Sequence, residues 1–323
     1  MLRRGSVALR PLAGRNGEQV SFPVNGRSSP RIGAAVGSCC LALVLANLAA
    51  AQERVLFEKP SPFNNILVTE NERGLRTLRF ERDGARQSVV MLGDPDHLEL
   101  PYARVVPAGL LFVEKPQRVL IVGLGGGTVP SFLRKHFPRL EVDVVDIDPG
   151  VVDAAKKFFG FQEDDLMHAY VEDGRKFIAS KRNRYDLILL DAFGADSVPY
   201  TLTTREFLES VRAALRPGGV AVGNIWSRSS NALYESMVRT YRAVFDELYI
   251  VDVAAAGNKI LIALPRRQAF AKAEWVRRAK EFSAKNHFRY DLGDLVAYGL
   301  HDSAVEGVQG RILLDRDEPR KAE

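Results

Sequence analysis

Three aspartates in this chain each follow a short apolar run, where a carboxylate could accept hydrogen bonds from a nucleoside or a proton from a reacting group. They are Asp146 after residues 142–145, Asp173 after residues 168–171 and Asp191 after residues 184–190. Runs of this composition are typical of buried parallel strands. Because ligands of open α/β sheets lie across the carboxyl ends of the strands, we expect the three carboxylates to rim one crevice.

A glycine-rich turn precedes the first of these acids. The run 118–122 ends in a turn that contains Gly123, Gly125, Gly126 and Gly127. Asp146 lies 23 positions after Gly123, close to the roughly 20 residues at which a βαβ unit places an acid beside a ribose. A dinucleotide fingerprint would require Gly or Ala at position 128, where this chain has Thr128. The spacing therefore favours a nucleoside without a pyrophosphate, such as an S-adenosyl sulfonium compound, over a turn that serves only helix packing.

The acids also have structural interpretations. Asp173, followed by Gly174, could accept from an adenine amino group or cap the next helix, and the two roles are compatible. Asp191 ends the most apolar run, where burial would raise its pKa toward that of a useful general base. Asp196 could hold a second charged group of the substrate or form only an Asx turn. The five histidines show no ligand spacing, so no metal is expected.

The elements that position these residues can be predicted from about residue 54 onward. Four short β runs separated by turn-forming residues predict hairpins over 55–57, 65–69, 75–80 and 88–92. Helices are predicted over 100–113, 129–136, 149–159, 204–215 and 229–245, with another after Gly174. Further strands are predicted over 220–225, 248–253 and 259–264, the last two antiparallel. This alternation predicts a doubly wound, Rossmann-like α/β sheet over 100–323 and a small β-hairpin subdomain over 52–99.

The first 51 residues have the composition of a leader. Six of the 45 Lys and Arg but only one of the 40 acids precede residue 52, and the apolar run 32–51 ends in three alanines. This order is typical of a secretory signal, which predicts an exported protein cleaved after Ala51. A retained membrane anchor, or a cytoplasmic protein that starts after Met1, are the alternatives. Residues 52–323 hold 39 basic and 39 acidic side chains, so the basic pI indicates no nucleic-acid partner, and both cysteines, Cys39 and Cys40, lie in the leader.

At these residues the chain resembles the spermidine and spermine synthases, the polyamine aminopropyltransferase family, within the class I methyltransferase-like fold. The resemblance runs from about residue 56 to 226. It includes Phe57-Glu58-Lys59-Pro60-Ser61-Pro62, Val-Gly-Leu-Gly-Gly-Gly-Thr at 122–128, Val-Asp-Ile-Asp at 145–148, Asp173-Gly174, Asp191 and Asn224-Ile225-Trp226. It implies decarboxylated S-adenosylmethionine as donor, a diamine or other amine as acceptor, and no metal.

The resemblance also implies roles for individual residues. Asp146 would hold the ribose, Asp173 the adenine, and Asp191 would be the base, with Asp196 as the second catalytic residue. The candidate donor-binding residues are Gly123, Gly125, Gly127, Asp146, Asp148, Asp173 and Gly174. The candidate contacts of the acceptor are Gln87, Tyr102 and Trp226.

Three departures from the family pattern keep other functions open. The family has an Asp where this chain has Gly126, its Tyr-His-Glu motif is reduced to Tyr102-Ala103-Arg104, and Asp191 and Asp196 stand further apart than the family's two acids. The alternatives are a methyltransferase that uses S-adenosylmethionine, or a non-catalytic exported binding protein of the same fold. A homodimer is a possible assembly, and a membrane contact is expected only if the leader is retained.

Overall fold

A computed structural model describes residues 53–194, 197–268, 270–301 and 306–319. The predicted leader and Asp196 lie outside these ranges, so the leader assignment stays a prediction. The described residues belong to the unit Ala51–Glu323, which includes both the N-terminal sheet and the α/β sheet.

The N-terminal part forms a four-stranded antiparallel sheet in the order β1-β2-β3-β4. Its strands are β1 (Arg54–Pro60), β2 (Asn65–Glu70), β3 (Leu75–Arg79) and β4 (Arg86–Met91). The β2–β3 turn shows why the chain reverses here, because the Asn71 side chain accepts from the backbone N–H groups of Arg73 and Leu75, both at 3.0 Å. Gly74 supplies the positive φ of this turn. The predicted hairpins are confirmed.

The segment after this sheet is helical, but its predicted single helix over 100–113 is wrong. An α-helix, α1 (Pro101–Val105), is followed by a 3-10 helix, Val106–Phe112. Pro107 has no N–H to donate and so cannot extend the α-helical ladder. Gly109 packs its bare Cα against Val222, where any Cβ would collide. Close packing against the sheet thus decides the geometry that the amphipathic pattern left open.

Strands and helices alternate through the rest of the chain. The strands are β5 (Arg118–Val122), β6 (Glu141–Asp146), β7 (Met167–Val171), β8 (Tyr185–Leu190), β9 (Leu215–Trp226), β10 (Glu247–Asp252) and β11 (Asn258–Leu264). The helices are α2 (Thr128–His136), α3 (Pro149–Phe158), α4 (Gly174–Ala179), α5 (Arg205–Ala214), α6 (Tyr234–Val244), α7 (Lys272–Lys285) and α8 (Leu292–Gly299).

The seven strands form one sheet in the order β10-β11-β9-β8-β5-β6-β7. Pairs from β9 through β7 are parallel, whereas β11 pairs antiparallel with both β9 and β10. The chain leaves β5 toward β6 on one side and returns to β8 on the other, so the carboxyl ends of β5 and β8 flank a topological switch point. The predicted doubly wound fold with its late antiparallel pair is confirmed.

Both faces of this sheet are covered, which explains its nearly continuous apolar strands. Val119 and Ile121 of β5 join one buried cluster, and their neighbours Leu120 and Val122 join another on the opposite face. The first cluster extends over the N-terminal sheet and onto Trp275 of α7. The second lies beneath α4, α5 and α6.

The start of α6 differs from the prediction of a helix over 229–245. The helix begins at Tyr234, because Asn231 accepts from the Leu233 N–H at 2.9 Å and the Ser227 and Ser229 hydroxyls bond to each other at 3.0 Å. Short polar side chains of this kind compete with helical hydrogen bonds. In the part of the chain that the structure describes, no helix is both long and apolar enough to cross a bilayer.

Candidate active site

A cavity of about 740 Å³ opens at the carboxyl ends of β5, β6, β8 and β9. The N-terminal sheet, α1 and the β10–β11 turn complete its walls. The predicted site residues that line it are Gly123, Gly125, Asp146, Asp173, Gly174, Asp191, Gln87, Tyr102 and Trp226. The three strand-end carboxylates therefore do rim one crevice.

The floor of the cavity is bare backbone. Gly123 has φ +97° and lies so close to the Asp191 carbonyl that no Cβ could be accommodated. A Cβ on Gly174 would lie 2.6 Å from Val122 Cγ1. Glycine is required at both positions, and a planar or sugar group can approach the main chain directly.

Two predicted donor-binding residues do not line this cavity. Gly127 precedes α2 in a left-handed conformation, with φ +75°, and a Cβ there would lie 2.8 Å from Phe161 Cδ2. Asp148 is fully buried and caps α3 by accepting from Gly150 N–H at 2.8 Å, while its other oxygen accepts from Ser61 and Asn64. Both residues have these structural roles, and their part in donor binding stays a prediction. Asp148 is buried because β6 ends at Asp146 and the chain has already turned into α3 two residues later.

Asp146 sits at the end of β6 with its carboxylate facing the glycine loop. One oxygen accepts from Leu124 N–H at 2.8 Å and the other from Asp148 N–H at 2.9 Å. Burial raises the pKa of Asp146 to about 6, and these backbone hydrogen bonds oppose the rise. A carboxylate offers about four acceptor positions, so ribose hydroxyls can add to the two bonds already present.

Asp173 caps a helix and also lines the cavity, so the adenine role predicted for it stays a prediction. Its side chain caps α4 by accepting from Arg175 N–H at 2.8 Å and from Lys176 N–H at 3.4 Å, and the residue also lines the cavity. Ile147 and Phe63, both with large exposed fractions, flank the same end of the crevice. Apolar side chains with a carboxylate beside them suit an adenine base, which has an apolar ring face and an amino group that can donate a hydrogen bond.

Asp191 occupies the centre of the opposite end. Its Oδ2 accepts from the Tyr102 hydroxyl at 3.0 Å and its Oδ1 from Asn224 Nδ2 at 2.8 Å. Burial raises the pKa of Asp191 to about 6, and the two hydrogen bonds oppose the rise. Burial, together with the nearby Asp191 carboxylate, also raises the pKa of Tyr102 well above its ordinary value, so Tyr102 remains a donor.

Two asparagines complete this end of the site. Asn224, 2% exposed, accepts at its Oδ1 from Asn258 Nδ2 at 2.9 Å. Neither was among the predicted site residues, although Asn224 belongs to the Asn-Ile-Trp motif. Asn258 carries no local signal, since only the pairing of β9 with β11 brings it to the cavity. Trp226 and Phe193 stack beside them, with ring centroids 5.6 Å apart.

The site offers carboxylates but no metal centre. Across the described ranges, no group of three or more His, Cys, Asp or Glu side chains is placed to hold a metal ion. The three carboxylates could accept hydrogen bonds from a nucleoside, and Asp191 could also accept a proton. Asp196 lies outside the described residues, so its role stays a prediction.

Comparison with known proteins places the chain among nucleoside-dependent transferases. Residues 103–254 match the model of the spermine/spermidine synthase domain. Over 240 residues the chain is 37% identical to the polyamine aminopropyltransferase of Vibrio vulnificus (strain CMCP6). This match covers 71% of this chain and 79% of that protein.

Two solved structures resemble this fold. Spermidine synthase from Thermotoga maritima has a TM-score of 0.60 at 20% identity, over 79% of this chain and 87% of that one, which bears on the fold alone. Human methyltransferase-like protein 13, solved in complex with SAH, has a TM-score of 0.54 at 30% identity, over 58% of this chain and 92% of that one.

Proposed function

The chain belongs to the polyamine aminopropyltransferase family, and from that premise we propose that it transfers an aminopropyl group from decarboxylated S-adenosylmethionine to an amine acceptor. One observation carries the proposal most directly. A buried carboxylate, Asp191, lies in the same cavity as Asp146 and Asp173, the two carboxylates that are proposed to hold the nucleoside. A transferase that must deprotonate an amine beside a bound sulfonium needs this combination.

The donor is proposed to lie across the glycine loop. Asp146 would accept from the ribose hydroxyls and Asp173 from the adenine amino group, while Gly123 and Gly174 let the nucleoside approach the backbone. The sulfonium is proposed to lie near Asp191, which would place the reacting carbon beside the base. Gln87 lines the cavity beside the glycine loop and is proposed to contact the donor or the acceptor there.

The acceptor must arrive at the reacting carbon with an unprotonated nitrogen. An alkyl amine with a lysine-like pKa of about 10.4 is almost wholly protonated at neutral pH. Asp191, whose pKa is raised to about 6, is mainly ionised at pH 7 and can take that proton. The nitrogen lone pair then forms a bond to the carbon beside sulfur, the carbon–sulfur bond breaks, and its electron pair stays on sulfur as a neutral thioether nucleoside.

Gly126 favours keeping methyl transfer as a second candidate. A Cβ at this position would lie 2.9 Å from both Ser88 Oγ and Phe159 Cδ1, so the loop as folded has no room for the family's Asp. Without that carboxylate, the site has less reason to prefer a donor whose tail is decarboxylated and cationic. Methyltransferase-like protein 13, which was solved with SAH, supports the same alternative.

Calorimetric titration of the purified protein with S-adenosylmethionine and its decarboxylated form tests the two candidates. Aminopropyl transfer predicts preferential binding of the decarboxylated compound and, with a diamine, a mass increase of the acceptor by one aminopropyl group. Preference for the carboxylated compound supports methyl transfer. Binding of neither would contradict both and support a non-catalytic binding protein.

We propose further that the protein is exported and that its leader is cleaved after Ala51. The support is the order of basic, apolar and small residues, together with the electrical neutrality of residues 52–323. N-terminal sequencing of the protein from its host should begin near Gln52. A soluble protein that retains Arg3 to Arg31 would contradict the proposal.

A further inference from the structure

We propose that Asn258 is a positioning residue that sets the orientation of the Asn224 amide and thereby determines which atom of Asn224 faces the Asp191 carboxylate. The inference rests on the proposed function, in which Asp191 acts as the base. Asn258 would act through Asn224 and would not itself touch the reacting atoms.

The strand register places the two amides side by side. In the antiparallel pair of β9 and β11, Asn258 is opposite Trp226 and Asn224 is opposite Ile260. Asn224 and Asn258 are therefore diagonal neighbours on one face of the sheet, within reach of each other's side chains. Both backbones are held in the ladder, so neither amide can leave its partner by a loop movement.

The hydrogen bonds run in one direction from Asn258 to Asp191. Asn258 Nδ2 donates to Asn224 Oδ1 at 2.9 Å, and Asn224 Nδ2 donates to Asp191 Oδ1 at 2.8 Å. Rotating the Asn224 amide by half a turn would place its oxygen against the carboxylate and its NH₂ group against that of Asn258. Each contact would then join two acceptors or two donors, so the donor on Asn258 holds Asn224 in the orientation that favours an ionised Asp191.

The surroundings of Asp191 leave few other groups to control its charge. Among the described residues, its titratable contact is Tyr102 of α1, which donates to the other carboxylate oxygen. The neighbouring strands β5 and β9 present the Gly123 backbone and the Asn224 amide, and the β10–β11 turn presents alanine, glycine and Asn258. Asp146 of β6, Asp173 before α4 and Arg86 of β4 line the same cavity. Arg86 lies 3.9 Å from the Glu99 carboxylate, and Lys259 of β11 is paired with Asp252.

Loss of the Asn258 donor has a defined consequence for proton transfer. With Asn258→Ala, the Asn224 amide can turn its oxygen toward Asp191 at the cost of one hydrogen bond instead of two. The loss of a hydrogen bond to a charged group corresponds to an upward shift of about one pH unit in the titration of Asp191. Activity should then fall about three- to tenfold near pH 6 and recover toward the wild-type level at higher pH, whereas a general packing defect would lower activity at every pH.

The direct test follows the Asp191 carboxyl signal by NMR in protein labelled at aspartate Cγ, with the signal assigned by its loss in Asp191→Asn. We expect Asn258→Ala to move the titration midpoint upward, and Asn258→Asp, which preserves volume but replaces the donor by an acceptor, to move it further. Asn65, which is half-buried and donates to Glu58 in the N-terminal sheet, provides the matched asparagine control, and Asn65→Ala should leave the midpoint unchanged.

A double-mutant cycle with Asn224→Ala decides whether the effect passes through Asn224. If it does, Asn258→Ala has no further effect on the midpoint in the Asn224→Ala background. An unchanged midpoint in folded Asn258→Ala, or an equal shift with and without Asn224, overturns the inference. The titration needs no turnover, so a protein that transfers no aminopropyl group would contradict the proposed function while this test still applies.

Discussion

Asp191 shows at the scale of one residue how the site can make a carboxylate useful near neutral pH. Burial at the end of β8 raises its pKa, while Tyr102 and Asn224 each donate a hydrogen bond that limits the rise. A carboxylate in water, with a pKa near 4, would be a weaker base. The balance between burial and hydrogen bonding therefore prepares Asp191 to accept a proton.

Asp191→Asn should abolish aminopropyl transfer to a diamine while nucleoside affinity is retained. The expected loss in kcat is about a hundred- to ten-thousandfold, the usual contribution of a general base. Steady-state kinetics and calorimetry on the same preparation measure both. The exposed variant Asp165→Asn is the control, and near-wild-type kcat in Asp191→Asn would rule out the base assignment together with the aminopropyl-transfer proposal.

The same substitution should stabilise the fold above pH 6. The folded pKa of Asp191 is raised to about 6 from an ordinary value of 3.8, so between these values the native state binds more protons and the free energy of unfolding falls as pH rises. Removing the charge should recover about 1–3 kcal/mol at pH 8. Urea unfolding at pH 8 and pH 4 should show a gain for Asp191→Asn at pH 8 that disappears at pH 4, and a gain of equal size at both would contradict this linkage.

Asp146→Asn should weaken nucleoside binding by about 1.5–3 kcal/mol, the range for hydrogen bonds to a charged group. The side-chain oxygen of an asparagine can still accept from one of the two backbone N–H groups that bond to Asp146, so the fold should persist. Calorimetric titration measures the affinity, and circular dichroism checks the fold. Wild-type affinity in folded Asp146→Asn would exclude the ribose role.

The pairing of elements determines which polar side chains meet. Asp148 connects the start of α3 to the β1–β2 loop through Gly150, Ser61 and Asn64. Asn64 also lines the cavity. A single buried carboxylate thereby holds the N-terminal sheet, which forms one wall of the site, against the α/β sheet.

Asp148→Ala should therefore destabilise the protein by about 2–4 kcal/mol, because a helix cap is lost and buried donors are left unpaired. Denaturant titration of this variant beside Asp146→Asn separates the two roles. We expect the midpoint to fall for Asp148→Ala but not for Asp146→Asn. A loss of affinity without a loss of stability in Asp148→Ala would support the donor-binding interpretation.

Local patterns predicted most elements, and non-local contacts account for what they missed. The glycine loop and the strands before Asp146, Asp173 and Asp191 were predictable because apolar runs and turn residues act within a few positions. The structural role of Asp148 was not predicted, because its environment depends on where the chain leaves β6. Asn258 could not be found, since its partner is set by the register of two strands and not by its neighbours in sequence.

At the scale of the whole molecule, the cavity collects residues that are far apart in sequence, from Phe63 to Asn258. Its walls include Asn64, the turn after β5, the ends of β8 and β9, and Asn258. The family match at residues 103–254 contains the three strand-end carboxylates but neither Asn64 nor Asn258. The three strand-end carboxylates and part of the cavity wall therefore lie in different stretches of the chain.

The strand order also has a kinetic consequence. β11 lies next to β9 near the edge of the sheet, so Asn258 reaches its place in the cavity only when β11 has paired with β9. Parallel pairs between distant segments are slow to form, and a ligand that contacts all the walls cannot bind a partly folded state.

Nucleoside should leave the refolding rate unchanged and slow unfolding in proportion to its stabilisation of the native state. Stopped-flow mixing with and without ligand would measure both rates. A bound nucleoside thus acts on the lifetime of the folded protein rather than on its formation.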